Sequence, residues 1–172
     1  MFGIMSRVHP ACLPIETLLA QCDVRHERRS GPGGQHRNKV ATAVVLTHRP
    51  TGLRAEANEC RSQADNQRQA LRRLRLRLAV EIRSTSLDKE PSALWRSRVR
   101  GGRLAINPSH DDFPALLAEA LDALIAAECD LAPAASWLEI TATQLTRFLQ
   151  LEPAAWRRLN DCRRQRGLRP LK

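Results

Sequence analysis

The residues best able to do chemistry lie together in Arg29-Ser30-Gly31-Pro32-Gly33-Gly34-Gln35-His36-Arg37-Asn38-Lys39. Adjacent glycines let the backbone adopt positive φ and let another molecule approach the main chain closely. A glutamine behind them presents one backbone N–H and a neutral amide. That set can stabilise a developing oxyanion and orient a water without a titrating nucleophile. The segment is not a Walker loop, which needs Gly-x-x-x-x-Gly-Lys-Ser/Thr. It is not a dinucleotide fingerprint either, because His36 stands where the third glycine would be. A general base would have to be a histidine or carboxylate within reach. His36 is the only nearby candidate, and it reads as a hydrogen-bonding support for the loop.

Metal chemistry is not indicated. Cys12 and Cys22 would flank a helix of about ten residues, which sets them roughly 15 Å apart. That is too far for a shared tetrahedral ion with His9 and His26. The five cysteines are odd in number and include no Cys-x-x-Cys pair, which reads as reduced thiols rather than a disulfide frame.

The charge points to a polyanion. Twenty-eight Lys and Arg oppose 18 Asp and Glu, a formal net charge of +10. The only lysines are Lys39, Lys89 and Lys172, so the basic residues are overwhelmingly Arg. The planar guanidinium fork suits phosphate oxygens, which favours nucleic acid, most simply RNA. A GC-rich coding sequence would also favour Arg over Lys, but would not create the net charge. Residues 1–103 carry 20 basic and 9 acidic side chains. Residues 104–152 carry one basic (Arg147) and eight acidic, and residues 153–172 carry seven basic and one acidic (Asp161). No run of about 18 apolar residues exists to cross a membrane, and Met1 to Arg7 is too short for a secretory signal. The expected location is therefore cytoplasmic.

The elements that must hold the loop follow from periodicity. Ile15, Leu18, Leu19 and Cys22 predict a short helix after Pro14. Val24–Arg29 and Ala41–His48 read as strands on either side of the loop. Pro50-Thr51-Gly52 is a turn, and Leu53, Ala55 and Ala57 alternate with Arg54 and Glu56, which predicts a hairpin. Ser62 and Asp65 resemble a capping box opening a long helix. Leu71, Leu74, Leu78 and Ile82 form its apolar stripe, and Arg68, Arg72, Arg73, Arg75 and Arg77 cover most of the rest. Residues 84–112 read as a basic linker, including the run Arg96 to Arg103. Residues 113–172 read as a helical extension, with an apolar face from Leu116 to Ile125. Within it, Ala134–Leu149 has helix-turn-helix spacing, with Trp137, Leu138, Ile140, Leu145 and Phe148 between the helices. Thr141 is an expected N-cap, Pro153 a first helical residue and Gly167 a terminator. The last helix carries Arg157, Arg158, Arg163 and Arg164 as phosphate-binding candidates.

Ser30 to His36 with Asn38-Lys39, then the hairpin around Pro50-Thr51-Gly52, Arg61-Ser62-Gln63, Asn66 and the Arg-rich helix resemble the GGQ domain of class I peptide chain release factors. The resemblance covers about residues 22–83. It implies an α+β fold, a small mainly antiparallel sheet with two packed helices over residues 1–83, followed by the all-helical extension. It also implies an enzyme, a ribosome-dependent peptidyl-tRNA hydrolase in which Gly33, Gly34 and Gln35 enter the peptidyl transferase centre. The Gln35 backbone N–H would stabilise the transition state, its side chain would help place water, and its amide is a methylation candidate. Gly31, His36, Asn38 and Lys39 would support the loop. Arg29, Arg37, Arg61, Arg68, Arg72 and Arg75, with the four tail arginines, would contact RNA. Arg37 departs from the family, whose members usually carry a small aliphatic residue there.

The layout is similar to the short, codon-independent ribosome-rescue members. Only about 20 residues precede the domain, and there is no Pro-x-Thr or Ser-Pro-Phe tripeptide. The direct hairpin at Pro50-Thr51-Gly52 is closer to decoding factors and to short mitochondrial members. The expected partners are the ribosome, through large-subunit rRNA and peptidyl-tRNA, and a rescue or splitting protein. The protein is expected to be a monomer with no metal, no cofactor and no membrane. Two other readings remain: termination with a separate codon-reading partner, and an RNA- or DNA-binding regulator without hydrolase activity.

Overall fold

A computed structural model describes residues 8–28, 42–84 and 86–171. The chain forms two compact units, Leu13–Leu78 and Met1–Cys12 with Ala79–Lys172.

The first unit is built on a three-stranded antiparallel sheet in the order β1 (Cys22–Glu27), β2 (Ala43–His48), β3 (Arg54–Ala57). Helix α1 (Ile15–Ala20) precedes it. β2 is the central strand, and Ala43, Val44, Val45 and Leu46 are all buried, as a strand covered on both faces requires. β3 alternates exposed and buried residues, the half-wet pattern predicted from Leu53 to Ala57. β1 begins at Cys22 rather than Val24, because its pairing starts at Cys22↔His48 and ends at Glu27↔Ala43. Its side chains are mostly exposed, so hydrophobic alternation gave no marker of its start. The expected strand ends at Arg29 and Ala41 lie outside the described residues.

Polar contacts hold the hairpin turn. Gly52 has φ +71°, where only glycine is unstrained. Its N–H donates to the His48 carbonyl at 2.8 Å. The buried His48 ring accepts from the Thr51 hydroxyl at Nδ1 (2.8 Å) and donates from Nε2 to Gln21 Oε1 (3.0 Å). Arg49 donates to the Cys22 and Ala20 carbonyls, at 3.0 and 2.5 Å, where α1 meets β1.

Helix α2 (Gln63–Glu81) opens as predicted, with the Asp65 N–H donating to Ser62 Oγ. Leu71, Leu74 and Leu78 are buried along one stripe, and Ile82 lies just beyond the helix end.

The second unit is helical: α3 (Ala93–Arg98), α4 (Phe113–Ala126), α5 (Leu131–Trp137), α6 (Ala142–Gln150) and α7 (Pro153–Gln165), with the small hairpin β4 (Val99–Arg100) and β5 (Arg103–Leu104). The stretch expected as a linker, 84–112, thus contains a capped helix and a hairpin. Ser92 caps α3, and Trp95 is fully buried, edge-on to Phe148 with ring centroids 5.9 Å apart. Two arginines of its basic run are paired. Arg96 meets Glu90 at 3.0 Å and Arg98 meets Asp112 at 2.5 Å.

The α5–α6 turn has the predicted spacing, with Leu138, Ile140, Leu145 and Phe148 buried, whereas Trp137 is only half-buried. Thr141 caps α6, Glu152 caps α7 with Pro153 at its first position, and Gly167 ends α7 at φ +71°. The expectation of reduced thiols is corrected at one pair. Cys129, after α4, and Cys162, on α7, form a disulfide. The turns between α4 and α7 bring their Cα atoms to 6.4 Å, a proximity that no sequence spacing signals. Arg83 and Asp122 form an ion pair at 2.8 Å, both largely shielded from solvent.

Candidate functional site

The catalytic candidates Gly33, Gly34 and Gln35, the support residues Gly31, His36, Asn38 and Lys39, and Arg29 and Arg37 lie outside the described residues. What is described is the frame that bears them. The segment leaves the sheet at the end of β1 and returns at the start of β2, and these ends are cross-strand partners through Glu27↔Ala43.

The first turn of α2 reaches both ends. Residues three apart lie on one helix face, as Gln63 and Asn66 do. The Gln63 amide donates to His26 Nδ1 on β1 at 2.6 Å. Asn66 is fully buried, and its side chain is saturated. Its Oδ1 accepts from the Cys60 N–H (2.9 Å), and its Nδ2 donates to the Thr42 carbonyl (2.7 Å) and the Cys60 carbonyl (2.9 Å). The sequence singled out Asn66 only as part of a resemblance. A polar residue on the buried face of an Arg-rich helix was the signal that it bonds internally.

The predicted RNA-facing arginines divide. Arg61, Arg68 and Arg72 are exposed and Arg75 is half-buried. Arg68 pairs with Asp65 one turn away. Arg73 and Arg77 instead grip edge strand β3, donating to the Glu56 carbonyl (2.6 Å) and the Arg54 carbonyl (2.5 Å). Arg73 also binds Glu59 at 2.6 Å, and that hydrogen bond holds the Glu59 carboxyl below its ordinary range. Covering an edge strand's carbonyls blunts its tendency to pair with another chain. These two guanidiniums are therefore engaged in the fold, which their sequence position alone did not reveal.

In α7, Arg157 and Arg158 are exposed, and Arg164 pairs with Asp161 at 2.8 Å. Arg163 is half-buried and donates to the Cys129 carbonyl (2.7 Å) and the Arg169 carbonyl (2.9 Å). Among the described residues no group of three or more His, Cys, Asp or Glu is arranged to hold a metal ion. No helix among them is long and apolar enough to cross a membrane.

A small antiparallel sheet followed by a long helix, with a glycine-rich stretch of sequence between its first two strands, defines a class of α+β domain. Residues 15–105 match the RF-1 domain family, and the chain belongs to that family. It is 42% identical over 88 residues to peptide chain release factor 1 of Albidiferax ferrireducens, covering 51% of this chain and 22% of that protein. It is 40% identical over 95 residues to peptide chain release factor 1 of Kineococcus radiotolerans, covering 54% and 26%. With peptide chain release factor 2 of Helicobacter pylori it shares 33% identity over 127 residues, covering 64% and 35%. The chain thus spans between about a fifth and a third of the length of these relatives. Residues 106–171, from the end of the small hairpin through α7, lie beyond the family match.

Proposed function

We propose that the protein hydrolyses the ester of peptidyl-tRNA on the ribosome, independently of a stop codon, to free stalled translation complexes. The observation that carries this reading is the position of Gly33-Gly34-Gln35. The motif falls between two paired strands of a domain that belongs to the RF-1 family. The helical unit beyond the family match, with exposed Arg157 and Arg158 on its last helix, supports recognition of the ribosome itself rather than of a codon.

In this mechanism water attacks the ester carbonyl that joins the peptide to the terminal ribose of the tRNA. Charge develops on the carbonyl oxygen, and the Gln35 backbone N–H stabilises it. One such donor contributes about 2.7–4 kcal/mol at the transition state. The Gln35 side chain orients the water, and methylation of its amide would tune that contact. The ester C–O bond then breaks, the peptide keeps the water oxygen, and the ribose oxygen takes the proton. The ribosome positions the ester, so the isolated protein is nearly inert. The partners are large-subunit rRNA and peptidyl-tRNA, with a rescue or splitting protein acting alongside, and the protein works as a cytoplasmic monomer.

The test is peptide release from purified ribosomes that hold peptidyl-tRNA. One set carries a message truncated at the P site, and the other has a stop codon in the A site. Release on the truncated message, abolished by Gly34→Val, is the expected result. Release only with the stop codon and a decoding partner moves the reading to partnered termination. Tight RNA binding without release on either overturns it in favour of a binding module.

A further inference from the structure

We propose that the tip of the small hairpin, Arg100-Gly101-Gly102-Arg103, is a docking point for the phosphodiester backbone of RNA. Gly101 and Gly102 have φ angles of +55° and +71°. Two consecutive positive φ values are what a two-residue hairpin turn requires, and glycine takes them without strain. The turn makes Arg100 and Arg103 direct cross-strand partners. Like charges set opposite each other destabilise a hairpin. Nothing on the protein offsets that repulsion. Among the described residues no carboxylate meets either guanidinium, and both arginines are exposed. The arginines just before them behave differently, since Arg96 is paired with Glu90 and Arg98 with Asp112.

One anionic group between the two guanidiniums would relieve the repulsion. A phosphodiester has the charge, and two free oxygens with which to accept from both. The main chain leaves room for it. Apart from the chain neighbours, no heavy atom among the described residues lies within 4 Å of where a Cβ would stand on Gly101 or Gly102. The tip is also held in place. The Ala105 N–H donates to the Arg98 carbonyl at 3.0 Å, which closes the base of the hairpin. Trp95 anchors the helix that leads into it, and β5 packs against α6 in the same compact unit. The backbone of the tip is thus presented in one geometry, and only side-chain ordering opposes contact. Contacts of this kind fix position on a nucleic acid rather than read its sequence. The choice of RNA rests on the ribosomal reading proposed above. A tip that is only solvated would carry the same charges, with no more effect on binding than any other two arginines.

The test is equilibrium binding of the full chain to a fluorescein-labelled RNA duplex of about 20 base pairs, and to a DNA duplex of the same sequence, across a salt series. Arg100→Gln with Arg103→Gln is compared with Arg54→Gln with Arg96→Gln, which removes two charges already paired with Glu56 and Glu90. The tip pair is expected to weaken RNA binding about tenfold and to lower the logarithmic salt slope by about 1, for the one phosphate no longer neutralised. The control pair is expected to lose less than about twofold. The tip variant should melt at or above the wild-type temperature, because a like-charge pair has been removed. Arg100→Lys with Arg103→Lys should keep the salt slope and lose about threefold in affinity, because an ammonium does not bond as a fork. Equal losses in the tip and control pairs, an unchanged RNA affinity, or a lower melting temperature overturns the proposal. Tighter binding of DNA than of RNA by the wild type overturns the choice of RNA. Peptide release is not read in this test, so its failure leaves the hydrolase reading standing, and a protein that releases nothing can still bear the site.

Discussion

The Trp95 indole N–H donates to the Leu138 carbonyl at 2.8 Å, fastening helix α3 to the turn that leads from α5 to α6. The two residues are 43 positions apart, and both are fully buried. This bond anchors α3 in the helical unit through Trp95, the one buried residue of that helix.

Trp95→Phe is therefore expected to cost about 1–3 kcal/mol, because the Leu138 carbonyl is left buried without its donor. Trp95→Ala adds a cavity beside Phe148, for a total of about 3–5 kcal/mol. Urea unfolding of both variants checks the order. Equal stability of Trp95→Phe and wild type would show that the carbonyl finds another partner.

Acid should destabilise the fold through two histidines. Burial, and then the nearby Arg49, lowers the His48 pKa below its ordinary 6.5. Burial also lowers that of His9, against the raising effect of its bond to the Ile82 carbonyl. Burial favours the neutral form of both rings, and His9 Nδ1 accepts from the Ala11 N–H at 3.0 Å, a contact the neutral ring alone can make. The unfolded chain then binds more protons than the folded one below about pH 6.5, so stability is full above that pH and falls as pH drops through the lower folded values. Glu119, pushed up by burial, works in the opposite sense. Melting temperatures at pH 7.5, 6.5 and 5.5 for wild type and His48→Gln isolate the histidine contribution. The variant should lose less stability over that range.

The Cys129–Cys162 bond spans a sequence separation of 33 residues. Closing a loop of that size stabilises by about 3–4 kcal/mol in the chain-entropy description. Adding a dithiol reductant, or making Cys162→Ser, should lower the unfolding free energy by that order in guanidinium titrations. Identical curves with and without reductant would exclude a contribution from the crosslink.

Gln35→Pro and Gln35→Ala separate backbone from side chain. The first removes the N–H and is expected to abolish release. The second keeps it and is expected to leave partial activity. Equal loss in the two would refute the backbone-donor mechanism.

Arg157→Glu with Arg158→Glu should weaken ribosome binding and lower its logarithmic salt slope by about 1 for each phosphate no longer neutralised. Arg163→Ala should instead act on stability, since its guanidinium is bonded to the Cys129 and Arg169 carbonyls. Titrations at 50 and 200 mM salt, beside thermal melts, distinguish the two effects.

Local signals carried much of the fold. The alternation from Leu53 to Ala57, the glycine at position 52 and the leucine stripe of α2 are patterns of short range, and the elements formed where they were read. The helix boundaries at Thr141, Pro153 and Gly167 were legible for the same reason. Residues 84–112 were not, because α3 is only six residues long and its one large apolar anchor, Trp95, finds its partners on distant helices. The disulfide is equally a tertiary fact. At the candidate site, Gly33-Gly34-Gln35 was singled out by residue type and by the resemblance of the segments around it, and it lies outside the described residues. The roles of Asn66, Arg73 and Arg77 depend on which backbone carbonyl each meets, and no spacing encodes that.

The crosslink between Cys129 and Cys162 also changes the topology of the chain. Everything from α5 through most of α7 belongs to a closed covalent ring. The exposed Arg147, Arg157 and Arg158 all lie inside it. A single tryptic cut at any of them opens the ring without dividing the molecule, so the nicked protein migrates as one species until its disulfide is reduced. Cuts outside the ring release fragments at once. Sequence position relative to two sulfurs, rather than exposure alone, decides which damage severs the chain.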